Sequence, residues 1–221
     1  MPASRGRLVF TPDIRPKLLL GGGFGADNRL GYKFPTLIFT AGIELPITQR
    51  LEVQGSGGYS IARKFITGNG HISSLNVSLI VWGRKRLGFI AAAGRNSLST
   101  SQFNKTNVFP SAGVVFRGAS LGPGRIYLTY VFPTGCVWAT STNPCAIQSN
   151  RLQGFRFYEE DRIWSRLRLG FGLSVLRFCD QGNPNAPQAG RSCHMAATAS
   201  ADFHFALPLL KRRNHETYDF Y

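Results

Sequence analysis

Along most of this chain, apolar and polar residues alternate with a period of two. The clearest run is Leu167-Arg168-Leu169-Gly170-Phe171-Gly172-Leu173-Ser174-Val175, with large hydrophobes at odd positions and Arg, Gly and Ser at even ones. The stretch from His194 to Leu207 repeats the pattern. Met195, Ala197, Ala199, Ala201, Phe203, Phe205 and Leu207 alternate there with Thr198, Ser200, Asp202 and His204. Successive side chains of a strand point to opposite faces, so each segment predicts a strand with one greasy and one polar wall. Ten strands are expected, at 15–27, 33–46, 49–62, 70–83, 86–95, 106–118, 124–133, 152–160, 164–178 and 193–207. Short connections (46–48, 83–85, 119–123, 161–162) take turns with longer ones (28–32, 63–69, 96–105, 134–151, 179–192). An eight-stranded alternative requires demoting the 152–160 segment and one neighbour.

Closed on itself, such a ribbon is all-β: an antiparallel up-and-down transmembrane β-barrel of about ten strands, apolar toward lipid and polar within. A soluble barrel needs the reverse. Short turns at one rim, longer loops at the other and an even strand number agree with the membrane reading. The pattern resembles bacterial outer-membrane β-barrel proteins as a class over residues 15–207, flanked by an N-terminal segment 1–14 and a basic C-terminal tail 208–221. That resemblance implies a place in the outer membrane of a Gram-negative cell and insertion by the barrel-assembly machinery. Outer-membrane lipid and lipopolysaccharide would be its surroundings. Such barrels usually end on an aromatic C-terminus; here Phe203 and Phe205 are followed by a tail ending Tyr218-Asp219-Phe220-Tyr221. Either the insertion signal lies inside the chain or Tyr218, Phe220 and Tyr221 supply it, and the tail is also a candidate to meet a periplasmic partner. Met1 to Arg7 hold no apolar signal-peptide core, as a processed form would not.

Composition narrows the picture further. With 221 residues there is room for one domain, and no apolar stretch approaches the roughly 18 residues a spanning helix needs. Twenty-six Lys and Arg against eleven Asp and Glu leave a net charge of +15. Clustered cations are how proteins neutralise nucleic-acid phosphates. Here the clusters Arg63-Lys64, Arg84-Lys85-Arg86 and Lys211-Arg212-Arg213 fall in separate connections, and no nucleic-acid motif accompanies them. No nucleic-acid partner is expected; anionic headgroups give the charge another use. The competing class is a soluble basic β-barrel that binds an acidic ligand or nucleic acid.

The candidate chemistry lies on the polar faces. Glu44, Glu52, Arg86, Arg117, Arg125, Arg156, Glu160, Arg166, Arg168, Asp202 and His204 map to the lumen, mostly near the short-turn end. Buried charges are costly unless paired, so an Arg–carboxylate network is expected there. Such a network acts as a structural plug, with a surface-interaction role left to the loops. If a thin water path survives instead, the arginine excess makes a narrow anion-preferring pore. Asp202-Phe203-His204 resembles the Asp-x-His of the ten-stranded outer-membrane omptin proteases. That likeness covers three residues, and the pair falls toward the inner end, whereas omptin chemistry sits at the outer rim. A hydrolase built on Asp202 and His204 is therefore the minor reading, and no catalytic residue, cofactor or metal is assigned. Cys136 and Cys145 fall in one long loop while Cys179 and Cys193 bracket the next, which suits two loop disulfides in an oxidising compartment. Trp138, in the first of these loops, is expected to make a surface contact. Trp82, Trp164, Tyr59, Phe116, Phe132 and Tyr158 lie near strand ends, where an aromatic girdle is expected.

Overall fold

The computed structural model describes residues 15–27, 34–65, 68–83, 86–99, 104–118, 123–133, 136–138, 147–148, 153–164, 166–179 and 193–209. Ten long strands close into one antiparallel barrel. They are β1 (Lys17–Asp27), β2 (Phe34–Pro46), β3 (Leu51–Phe65), β4 (Gly68–Trp82), β5 (Leu87–Ser99), β6 (Asn104–Arg117), β7 (Gly124–Val131), β10 (Gln153–Arg162), β11 (Leu167–Cys179) and β12 (Cys193–Pro208). A small separate ribbon, β8 (Cys136–Trp138) with β9 (Ile147–Gln148), interrupts the connection from β7 to β10. Each barrel strand pairs with its sequence neighbour, and β1 closes the ring against β12. Ten strands, not eight, is the count, because 153–162 pairs along its length with both β7 and β11.

Three of the short turns are built alike. The amides of Ile47, Gly83 and Ile163 donate to the carbonyls of Leu51, Leu87 and Leu167, four residues on, at 2.8, 3.0 and 3.1 Å. In the β2–β3 turn, the Thr48 hydroxyl also accepts the amides of Arg50 and Leu51. The β6–β7 turn differs, holding Gly118 at φ +122°, a conformation that a side chain would strain.

Burial follows the alternation. Every barrel strand turns at least one large hydrophobe outward, among them Phe24, Phe39, Tyr59, Leu79, Phe89, Phe116, Leu128, Phe155, Leu173 and Phe203. Leu173 is 57% exposed while Arg168, on the other face of the same strand, is 4% exposed. An exterior of that kind suits hydrocarbon, and the polar groups belong to the enclosed side. The lumen is not uniformly polar, however. Ile80, Trp82, Ile90 and Val115 form one buried apolar cluster inside it, and Phe109, Val131 and Leu176 another.

Candidate functional site

The lumen near the short turns holds a compact cluster of ions contributed by β1, β2, β3, β7, β10 and β11. Arg168 is its centre. Its Nη1 and Nη2 donate to Glu44 Oε1 and Oε2 at 2.6 and 3.0 Å, a bidentate fork, and Nη1 also reaches Glu160 Oε1 at 2.8 Å. Planar guanidinium matches a carboxylate in this way, and a lysine could not offer the same two-nitrogen fork. Beside Arg168, Arg125 Nη1 donates to Glu52 Oε1 at 2.6 Å and lies 3.9 Å from Glu44 Oε1. Lys17 Nζ approaches Glu44 Oε2 at 4.0 Å. Gln54 and Arg125 each donate to the Tyr127 hydroxyl at 3.3 Å, and Gln54 also donates to Glu52 at 2.9 Å.

In this cluster Lys17, Arg125 and Arg168 face Glu44, Glu52 and Glu160, three charges of each sign. Such a balance makes the burial of these ions tolerable, because carboxylates taken out of water meet guanidinium donors. Above Glu160, Tyr158 donates its hydroxyl to Asp202 Oδ1 at 2.9 Å, and Asp202 lies 3.4 Å from His204 Nδ1. Ser174 and Thr198 share a short hydrogen bond across β11 and β12 farther up.

Glycines shape the lumen by leaving room for inward rings. A Cβ at Gly170 would run into the Tyr158 hydroxyl and Asp202, one at Gly94 into the Phe109 ring, and one at Gly88 into Trp82. Strand positions facing a narrow interior need such gaps when a neighbour carries an aromatic ring. Phe109 thus lies across the upper lumen beside Val131 and Leu176, with the Arg156 guanidinium 4.3 Å from its ring centre.

The network residues fall into three groups. Glu44, Glu52, Arg125, Arg168 and Glu160 meet in the ion cluster, as the alternation predicted, and Asp202 and His204 lie beside it. Arg117 and Arg156 face inward but rest on rings, Arg117 with its guanidinium 4.0 Å from the centre of Trp82. Arg86 and Arg166 correct the expectation. They share the inward parity, yet each stands one residue ahead of its strand, where the wall has ended, and is exposed at the rim. Lys17 was missed, because Gly-rich β1 showed no clear alternation; its position opposite Glu44 in the β1–β2 register is the signal that would have found it. Two girdle assignments are also corrected. Trp82 and Tyr158 turn inward, on the same parity as Ile80 and Glu160, whereas Trp164, Tyr59, Phe116 and Phe132 are exposed.

Cys179 and Cys193 are direct partners in the β11–β12 register, while Cys136 stands opposite Gln148. Cys145, residues 1–14 and the tail 210–221 lie outside the described residues, as does the side chain of Trp138, which ends β8.

No protein-family model matches the chain, and no curated protein sequence matches it. Among solved structures, it is similar to the translocator domain of the autotransporter NalP from Neisseria meningitidis. Identity is 10%, the match covers 86% of this chain and 88% of that chain, and the TM-score is 0.39. At that score the likeness adds nothing to what the barrel's own geometry carries.

Proposed function

We propose that the chain is an integral barrel of a bacterial outer membrane whose lumen is filled, acting as a structural or surface-interaction protein and not as an enzyme. The observation that carries this reading is the inversion of polarity: hydrophobes exposed on all ten strands, and charges buried inside with their partners. Its surroundings would then be outer-membrane lipid and lipopolysaccharide, and the barrel-assembly machinery would insert it. The outward Phe203, Phe205 and Leu207 at the end of β12 fit the apolar terminal strand that such insertion requires. A Cys179–Cys193 disulfide is part of the proposal. Opposed residues of an antiparallel pair have Cα atoms about 4.5–5.5 Å apart, within the span a disulfide bridges.

The filled lumen is supported by the ion cluster at one level and Phe109, Val131 and Leu176 at another. A second reading, the narrow anion-preferring pore, draws on Arg117 and Arg156, inward cations additional to the balanced cluster. Two measurements test these readings. An inserted barrel stays in detergent extracts and runs faster unheated than boiled on a denaturing gel; recovery without detergent would return the protein to the soluble class. In planar bilayers the filled barrel gives no steady conductance, and anion-selective steps would favour the pore instead.

A further inference from the structure

The three turns of like build share more than a hydrogen bond. Their sequences are Ile47-Thr48-Gln49-Arg50, Gly83-Arg84-Lys85-Arg86 and Ile163-Trp164-Ser165-Arg166, and the next residue is Leu51, Leu87 or Leu167. Each therefore ends in Arg followed by the first leucine of a strand. Each of these arginines stands at a bend, and its carbonyl is tied to the neighbouring hairpin. The amides of Trp82, Arg117 and Ala206 donate to the carbonyls of Arg50, Arg86 and Arg166 at 2.7, 2.8 and 2.7 Å. The ladder thus runs one residue past the strand end in all three places.

Parity then says where the side chains belong. Arg50, Arg86 and Arg166 precede by two the inward positions Glu52, Gly88 and Arg168, and because their carbonyls still join the ladder they stand at the rim of the lumen-facing column. Arg162, the last residue of β10, shares that parity. All four are exposed. By contrast, the lumen-facing carboxylates at this end, Glu44, Glu52 and Glu160, are buried. On the lumen side the fold has separated its charges: these anions lie within the wall, and a collar of arginines from three hairpins stands at the mouth beneath them.

We infer that this collar is a binding site for an acidic polypeptide segment presented from the aqueous side of the short turns. Guanidinium pairs with carboxylate in a planar, two-bonded fork, and several pairs around one mouth reinforce each other. Ten strands about 4.8 Å apart and tilted about 40° make a ring about 20 Å wide. An extended chain with a carboxylate at every second residue repeats its charge about every 7 Å, so about three charges span the mouth. Exposed Ile47, Ile163 and Trp164 stand in the same turns and supply the apolar contacts that protein interfaces place beside arginine. Lipid headgroups fit less well, because they surround the outer circumference while the collar continues the inner one. The inference does not depend on which membrane holds the barrel, nor on whether the lumen conducts.

The test uses the full chain in uncharged detergent, with fluorescent poly-L-glutamate as the probe. Binding that weakens as salt rises is expected, with affinity falling at least tenfold in R50Q/R86Q/R166Q and largely kept in R50K/R86K/R166K. Faster migration of each unheated variant on a denaturing gel shows that the barrel still forms, so a loss of binding is not a loss of fold. Unchanged affinity in the glutamine variant overturns the site, as does a wild-type protein that ignores the probe. Two further outcomes also overturn it. In one, an oligonucleotide of equal charge displaces the probe at lower concentration than unlabelled poly-glutamate does. In the other, the glutamine changes abolish stabilisation by phosphatidylglycerol but leave poly-glutamate binding intact.

Discussion

The two halves of the lumen are closed by different physics. Toward the short turns, six ions from six strands meet in a balanced cluster whose carboxylates accept from guanidinium donors, packed beside the apolar group Ile80, Trp82, Ile90 and Val115. Toward the long loops, the same lumen is crossed by Phe109, Val131 and Leu176, with hydroxyls such as Ser174 and Thr198 bonded to one another. The lower closure is directional, and removing one member leaves others buried without partners. The upper closure is a matter of volume, so its failure is graded. Charge pairing makes a brittle plug and apolar packing a yielding one.

Breaking the lower closure should have the largest effect. Arg168→Met takes from Glu44 its bidentate partner and from Glu160 its donor, and loss of one partner of a buried pair costs about 3–5 kcal/mol. Urea unfolding in lipid vesicles reads the loss, and the triple change R168M/E44Q/E160Q should recover much of it. Full recovery would mean that the network tunes specificity more than stability. Next comes the wall that both halves share. Leu173→Arg puts a cation at the middle of β11 on the lipid side, which costs about 2–4 kcal/mol near the bilayer midplane. The same unfolding assay should show that loss, and a neutral outcome would place Leu173 away from hydrocarbon.

The upper closure should respond less. Gly94→Ala drives a methyl into the Phe109 ring, and overpacking of that kind costs about 1–3 kcal/mol. Adding Phe109→Leu should relieve it, which a double-mutant cycle measures directly. Smallest of all is the collar. Arg50→Gln, exposed outside both closures, should change stability by less than about 0.5 kcal/mol in that assay. A larger loss would mean that the rim arginines support the cluster above them.

Much of this was legible before any coordinates. Alternation over Leu167–Val175 of β11 and Ala197–Phe205 of β12 is unbroken, and it placed Arg168, Asp202 and His204 on one face because a period of two leaves no other choice. Assignments failed where alternation was unclear, or where residue type was followed against it. Lys17 opens a strand of glycines and leucines whose pattern names no face, and only the register opposite Glu44 puts it in the cluster. Trp82 and Tyr158 were read as interfacial from residue type, yet their parity with Ile80 and Glu160 already pointed inward.

Sequence alone determined most of the ribbon: the two faces of the strands that alternate clearly, and which rim carries the short turns. Those are local properties, written in residues one and two apart. Only closure of the ring decided that Glu44 of β2 faces Arg168 of β11, or that Gly94 stands where the Phe109 ring needs space. Which inward residues meet depends on the stagger between strands and on the diameter at which they close. The Arg-Leu turns show both sides of this division. Their motif is plain in the chain, but a collar exists only once three separate hairpins are bent around one mouth.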